Sequence, residues 1–242
     1  MKLRHEKKYL VPTECLDQLR ARLIPFLRPD LYTSLDPLGI PEYKVRSIYF
    51  DSHTNSSFFE KVEGLKDRKK LRVRGYGLQE KGSQVVLEIK RKISDRVMKN
   101  RAFIPYSEVE NVILKGLIDK NLTEVNKESR ENIVRFLFNI KRYNLKPENL
   151  IVYNREAYHG KFDSGIRVTF DKNIRQKSSP VLRNLFSDFG LNPIWKGYFI
   201  LEIKYFDSTM PSWAKSIIEE FKLKNEALSK YATGVEYSLE NF

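Results

Sequence analysis

Two arginines stand two residues apart in Leu71-Arg72-Val73-Arg74, and charged groups recur at this spacing along the whole chain. Glu88 and Lys90 alternate with Leu87 and Ile89, and Lys99 and Arg101 fall two apart. Tyr153 and Arg155 stand opposite Val152, while Arg167, Thr169 and Asp171 oppose Ile166, Val168 and Phe170. Glu202 and Lys204 oppose Leu201, Ile203 and Tyr205, and near the start Arg4, Glu6 and Lys8 share one parity. Side chains of a β-strand alternate between faces, so each stretch carries one charged and one apolar face. Guanidinium forks match pairs of phosphate oxygens, and lysine acts as a point charge. Eleven cations are therefore candidate phosphate contacts: Lys8, Arg46, Arg72, Arg74, Lys90, Lys99, Arg101, Arg155, Arg167, Lys204 and Lys230. Glu6, Glu88 and Glu202 cannot bind phosphate directly. They are hard oxygen donors of the kind Mg²⁺ or Mn²⁺ prefers, or else internal partners for neighbouring lysines and arginines. Tyr153 is placed to hydrogen-bond a phosphate or to pack at the rim.

Lys and Arg total 44 against 31 Asp and Glu, a formal charge of +13, which calls for a polyanionic partner. An ordinary solvent-facing sheet mixes charge signs, and like charges directly across a sheet repel. Faces that are mostly cationic, with isolated glutamates, therefore predict an anion between them. Closing the strands with charged faces inward and apolar faces outward, under helices, satisfies both requirements. Nucleic acid would want aromatic residues interleaved on the basic faces. Tyr76 and Tyr153 do not make a series, and taking the eleven cations inward leaves only a modest surface charge, so nucleic acid is not the expected partner.

The strands read from this alternation are Arg4–Val11, Lys44–Asp51, Arg68–Gly77, Ser83–Arg91, Val97–Ile104, Leu150–Tyr158, Gly165–Asp171 and Gly197–Phe206. Helical spacing appears over Thr13–Leu27, with Thr13 as cap, and over Glu128–Tyr143. It appears again after Pro211, through Trp213, Ile217 and Phe221, and Ser107 with Glu110 makes a capping-box pattern. With no repeat or linker, the expectation is one domain over residues 1–242, of α+β class. Its core element is an eight-stranded antiparallel β-barrel tunnel with a charged interior, covered by helices. Cys15 is the lone cysteine, no signal-like apolar run opens the chain, and no stretch nears the roughly 20 apolar residues of a membrane span. A soluble, reducing, cytoplasmic setting is expected. His5, His53 and His159 are too scattered for a metal triad.

Seven segments in order carry a family likeness: Arg4-His5-Glu6-Lys7-Lys8-Tyr9, Ser47-Ile48-Tyr49-Phe50-Asp51, Leu71-Arg72-Val73-Arg74, Leu87-Glu88-Ile89-Lys90, Arg167-Val168-Thr169-Phe170-Asp171, Leu201-Glu202-Ile203-Lys204 and Ser229-Lys230-Tyr231. Together they resemble the catalytic domain of the vacuolar transporter chaperone proteins, in the triphosphate tunnel metalloenzyme superfamily. The resemblance implies the eight-stranded tunnel, a divalent metal held mainly by Glu202, and polymerisation of inorganic polyphosphate from ATP. It assigns phosphate binding to Lys8, Arg72, Arg74, Lys90, Lys99, Arg101, Arg155, Arg167, Lys204 and Lys230. The superfamily's opening signature is Glu-x-Glu-x-Lys; here Arg4 stands for the first glutamate, as in the polymerase branch. Fungal members carry a membrane segment and a phosphate-sensing domain that have no counterpart in these residues, so coupling to membrane transport is not expected.

The reaction so implied moves the ATP γ-phosphoryl group to the end of a growing chain, with Mg²⁺ or Mn²⁺ and no protein nucleophile. The expected ligands are ATP, inorganic polyphosphate, triphosphate and pyrophosphate. Two other readings are kept. One is a triphosphatase or nucleotide hydrolase of the same fold, which needs a positioned water and a richer set of carboxylates. The other is a non-catalytic polyphosphate-binding module.

Overall fold

Alternation of charged and apolar residues locates every long strand, although the strand expected over Gly165–Asp171 runs on to Ser178 and that expected over Leu150–Tyr158 begins at Lys146. In the computed structural model, residues 5–30, 39–93, 96–118, 127–162, 165–206 and 209–241 are described. The strands are β1 (His5–Pro12), β2 (Leu27–Pro29), β3 (Glu42–Asp51), β4 (Arg68–Tyr76), β5 (Gln84–Ile93), β6 (Arg96–Pro105), β7 (Lys146–Gly160), β8 (Arg167–Ser178), β9 (Asn192–Pro193) and β10 (Tyr198–Tyr205). All eight expected strands are among them; short β2 and β9 are additions. Arg4 lies outside the described residues. The helices are α1 (Leu16–Leu23), α2 (Ser56–Val62), α3 (Lys127–Arg142), α4 (Ser212–Glu220) and α5 (Lys230–Glu240). The class is α+β, with antiparallel pairing. The chain divides into two compact units.

The first unit comprises Met1–Lys44, Tyr153–Ile174 and Pro193–Ser229. Its strands pair in the order β1-β10-β8-β7, with β2 on the end of β7. The apolar parity of each strand (Val168 and Phe170 on β8, Leu201 and Ile203 on β10) packs with Leu19 and Leu23 of α1 and Ile217 of α4. Each such fully buried aliphatic side chain contributes about 1.5–3 kcal/mol. The ring of Trp213 stacks on Phe26 at 4.7 Å. Arg20 of α1 grips the buried Glu156 of β7 with two hydrogen bonds of 2.9 and 2.6 Å, and Lys172 pairs with the same carboxylate. The helix expected over Thr13–Leu27 survives only as α1. Thr13–Cys15 is a 3₁₀ turn led by Pro12, and Pro25 tightens Ile24–Phe26 into another.

The second unit comprises Val45–Val152, Arg175–Asn192 and Lys230–Phe242. Here β7 pairs with β3, followed by β4, β5 and β6. Ile48, Phe50, Leu71, Val73, Leu87, Ile89, Ala102 and Ile104 form its core with Ile133 and Phe136 of α3, whose stripe the sequence predicts. Phe50 meets Phe136 edge-on at 5.8 Å. Ser107 and Glu110 form no capping box; a 3₁₀ turn at Tyr106–Glu108 leads to a π-helical turn at Asn111–Lys115. Helices α2 and α5 are not predicted, and α5 lies against the other face of β7. A Cβ on Gly234 would come within 2.8 Å of Ile151 Cδ1 and 2.9 Å of Asn149 Oδ1, so only glycine lets this helix lie so close.

The expected closure of eight strands into a barrel is not observed as strand pairing among the described residues. The outer edge of β1 is taken instead by a loop: Lys8 N–H donates to Asn225 Oδ1 at 3.1 Å, and Glu226 N–H donates to the Lys8 carbonyl at 2.9 Å. Both edge groups of Lys8 are thereby satisfied, so another strand would find neither donor nor acceptor at that residue. In the second unit, among the described residues, β6 is paired with β5 alone. No helix among the described residues is long and apolar enough to cross a membrane.

Val168 and Arg167 are adjacent on β8, yet Val168 is fully buried and Arg167 is on the charged parity. Val168→Lys is expected to cost several kcal/mol by forcing an unpaired charge into the apolar layer, read as a large fall in the thermal midpoint. A normal melt would show that this face of β8 is not core.

Candidate functional site

In the second unit, strand register brings the charged parities of four strands, β3 to β6, into transverse rows. Lys70 stands opposite Lys90, and Lys90 opposite Lys99. The next row runs Tyr49, Arg72, Glu88, Arg101, and the one beyond runs Ser47, Arg74, Val86, Phe103. Glu88 is the hinge of the middle row. Its Oε1 accepts from Arg72 Nη2 at 2.5 Å and its Oε2 from Arg101 Nε at 2.7 Å, with 2% of Glu88 exposed. Arg72 Nη1 also donates to the Tyr49 hydroxyl at 3.0 Å, and Arg74 Nε donates to Ser47 Oγ at 3.0 Å.

The electrostatics of this face register its excess of cations. Burial and the charges of Arg68, Lys90 and Lys61 push Lys70 down to about 8, against the pull of Tyr49. Burial pushes Tyr49 up, but Arg72, Arg74 and Lys70 outweigh it and hold the hydroxyl at about 7. A lysine shifted toward its neutral form by burial and neighbouring cations, beside a tyrosine shifted toward its anion by the same cations, marks a place where an anion would be stabilised. Beside it, the Tyr231 hydroxyl donates to Asp51, which also accepts from the backbone N–H groups of Ser57 and Phe58 at the start of α2. Burial and Asp51 push the Tyr231 hydroxyl far up, so it stays a proton donor.

In the first unit, two lysines and two glutamates make an alternating box. Lys8 on β1 stands opposite Glu202 on β10, and Glu6 stands opposite Lys204. Lys8 Nζ lies 2.9 Å from Glu6 Oε1 and 3.9 Å from Glu202 Oε2. Lys204 pairs with Glu202 and lies 3.7 Å from Glu6 Oε2. Burial disfavours the Lys8 charge, but Glu202 and Glu6 outweigh it and raise its pKa. Thr169 continues the row from Glu202, and its buried Oγ1 has no hydrogen-bond partner in the structure. Next on β8, buried Asp171 takes both ends of the Arg155 fork at 2.6 and 2.7 Å. The Arg155 guanidinium lies 5.2 Å from the Tyr153 ring. Arg167 donates to Asp30 at 2.9 Å, and His159 lies 3.5 Å from the same oxygen.

Of the residues chosen from sequence, Arg72, Arg74, Lys90, Lys99, Arg101 and Glu88 are thus gathered in the second unit, and Lys8, Glu6, Glu202, Lys204, Arg155, Arg167 and Tyr153 in the first. Lys230, half-buried, opens α5 of the second unit. Arg46 is a correction: it shares the parity of Ile48 and Phe50, is 1% exposed, and pairs with Asp188 at 2.6 Å while donating to the Ser187 carbonyl. It anchors that loop against the core side of the sheet and does not stand with the other cations. Each oxygen of Glu88 holds a guanidinium, so in this structure it stands with the arginines of the row. The expected crowd of cations awaiting an anion is also more orderly than foreseen, since Glu88, Asp171, Asp30 and Asp188 each hold at least one arginine. Tyr49, Ser47, Thr169 and Asp30 were missed. Tyr49 and Ser47 share the charged parity of β3, a signal hidden by the apolar residues between them.

A divalent cation is tested by the donors present. Glu6 and Glu202 lie within reach of the same two lysines, and Thr169 adds a hydroxyl. Among the described residues no three carboxylate, histidine or cysteine groups converge as a ready-made metal site. An ion such as Mg²⁺ or Mn²⁺ held by these donors would have to keep most of its shell as water or phosphate oxygen.

The Glu88 carboxyl, which burial alone would raise, is pulled down to about 2 by Arg72 and Arg74 and by the hydrogen bond from Arg101. A group whose pKa is depressed by folding stabilises fully above its unfolded value and loses that stabilisation as pH falls through the folded value. Glu88→Gln is therefore expected to lower stability by roughly 2–3 kcal/mol at neutral pH, after allowance for the half-exposed Arg101. In urea titrations the gap between parent and variant should close as pH drops from about 4.5 to about 2. A gap independent of pH would contradict the assignment.

A family model described as the VTC domain matches residues 3–239. Among curated proteins, the chain is 25% identical over 277 residues to vacuolar transporter chaperone complex subunit 4 of Trypanosoma brucei brucei (strain 927/4 GUTat10.1). That alignment covers 96% of this chain but 34% of the relative, so the chain spans about a third of that protein's length. Among solved structures it is similar to the PH1819 protein from Pyrococcus horikoshii OT3, with 13% identity, a TM-score of 0.45, and coverage of 98% of this chain and 100% of that one. It is also similar to HpAC1 from Hippeastrum, described with a dominant triphosphatase activity, with 15% identity, a TM-score of 0.47, and coverage of 98% and 96%.

Proposed function

The chain belongs to the VTC domain family, and on that premise we propose that it is a metal-dependent phosphotransferase that lengthens inorganic polyphosphate from ATP. The observation that carries this reading is the transverse array on the second unit's charged face. Three lysines stand in one row, two arginines are fixed by one buried glutamate in the next, and Arg74 follows. Such an array suits a ligand with many closely spaced negative charges and no required sequence or shape beyond them.

The chemistry asks little of the protein beyond positioning and neutralising charge. The attacking oxygen belongs to the terminal phosphate of the chain and is largely ionised at neutral pH. Its bond to the γ-phosphorus forms as the bond from that phosphorus to the bridging oxygen of ADP breaks, and ADP leaves with the electron pair. Arg72 and Arg101, locked on Glu88, need no reorganisation as charge shifts between the two bridges. Lys70, whose pKa burial and neighbouring cations lower to about 8, would be held more firmly in its charged form by an arriving phosphate. Glu202 and Glu6, with Thr169 beside Glu202, would hold Mg²⁺ or Mn²⁺, which when bound neutralises phosphate oxygens. The lone Cys15 agrees with a reducing, cytoplasmic setting.

Purified protein given ATP with Mn²⁺ or Mg²⁺ should yield ADP and a ladder of polyphosphate on a stained gel. Free phosphate without polymer would make it a hydrolase instead, and binding without turnover a binding module. Glu202→Gln removes the charge a hard cation needs while keeping the shape. Synthesis should collapse, while metal-free binding of triphosphate persists or tightens. Synthesis at the parent rate would remove Glu202 from the metal site.

A further inference from the structure

The charged face of the second unit is not uniform from end to end, and its gradient has a direction. At one end stand Lys70, Lys90 and Lys99; in the middle, Arg72, Glu88 and Arg101. At the other end the row is Arg74, Val86 and Phe103, and Tyr76 lies two residues past Arg74 on the same parity. Phe103 is 62% exposed and Tyr76 47% exposed, whereas the flanking Ala102 and Ile104 are buried in the core. Alternation therefore turns Phe103 to the charged side, with the nearly buried Val86 between it and Arg74 as an apolar floor.

A nucleoside triphosphate is graded in the same sense. One end is an uncharged aromatic base and the other carries the greatest negative charge. We propose that this face binds ATP in a single orientation, with the nucleobase stacked on Phe103 and the phosphates running past Arg101 and Arg74 toward the lysine row. The inference rests on the proposed use of ATP and adds the donor's orientation and a residue that selects it. The dimensions agree: Phe103 is about 7 Å along β6 from Arg101 and about 10 Å across two strand spacings from Arg74. That is the scale separating a base from its own phosphates. The reverse orientation would set the most charged phosphate beside Phe103 and Val86, where the row offers one cation, and would leave the base among three lysines. Stacking of this kind on an aromatic ring is sequence-tolerant and strengthens binding about 5- to 100-fold. Inorganic triphosphate and polyphosphate have no base to stack, so Phe103 distinguishes the nucleotide donor from the growing product.

The test is calorimetric titration of ATP and, separately, of inorganic tripolyphosphate, both without divalent metal, into the parent chain, Phe103→Ala and Phe103→Trp. Phe103→Ala should weaken ATP about 5- to 100-fold while tripolyphosphate binding stays at the parent value, and Phe103→Trp should restore ATP binding. Because Phe103 is exposed and outside the core, a thermal melt should show all three proteins equally folded. If Phe103→Ala leaves both ligands unchanged, or weakens both equally, the stacking inference falls while phosphate binding stands. If the parent binds neither ligand, the proposed function and the inference fall together.

Discussion

A carboxylate withdrawn from water must be given a cation or a set of hydrogen-bond donors, and here that requirement sets where the arginines stand. Glu88 in the second unit and Asp171 and Glu156 in the first are all nearly or fully buried, and each holds at least one guanidinium. Desolvating two charges costs several kcal/mol, and the pair is sustained only when geometry and further hydrogen bonds are good. The bidentate grip of Asp171 on Arg155 meets that condition, as does the two-armed Glu88. Replacing either buried pair with apolar residues would not lose much stability by itself. What the pairs confer is orientation: an arginine fixed through one edge presents its remaining N–H groups in a set direction.

That constraint links the apolar half of each strand to the polar half. Ile48, Leu71, Leu87 and Ala102 are held under α3, and their burial fixes the register that sets Arg72 across from Glu88 and Glu88 across from Arg101. A slip of one residue would bury the cations and expose the core, so the hydrophobic layer polices the polar array. In the first unit Leu201, Ile203 and Val168 do the same for the box of Lys8, Glu202, Glu6 and Lys204. Core packing is thus the reason the site residues meet at all.

Period-two alternation made the eight long strands and their charged parities legible from residues alone, and helical spacing did the same for the α3 stripe. Register was not legible, since it depends on turn geometry between strands, and so the sharing of Glu88 by Arg72 and Arg101 could not be foreseen. Asp30 and Asp188 come from irregular segments that carry no period. The placement of Arg46 was there to be read: it shares the parity of Ile48 and Phe50, and counting parity rather than charge would have set it on the core side. Helix α5 was hidden because Gly234, a poor helix former, is required by its close approach to Ile151. Closure into a barrel was inferred from the charged faces, whose pattern does not reveal that the Asn225–Glu226 segment meets the edge of β1 at Lys8.

The central claim is that the strand-borne cations form a site for a chain of phosphates. Arg74 tests it most directly, because its side chain sits on the array beside Ser47 and its removal leaves Glu88 still held by Arg72 and Arg101. Inorganic tripolyphosphate should be titrated calorimetrically into the parent and into Arg74→Ala at low and at moderate salt. Loss of one charge-assisted contact should weaken binding by about 1.5–3 kcal/mol, a factor of roughly ten to a hundred, and added salt should weaken the parent further. Equal affinity in the two proteins, both folded, would contradict the account and make the charged face an ordinary solvated surface.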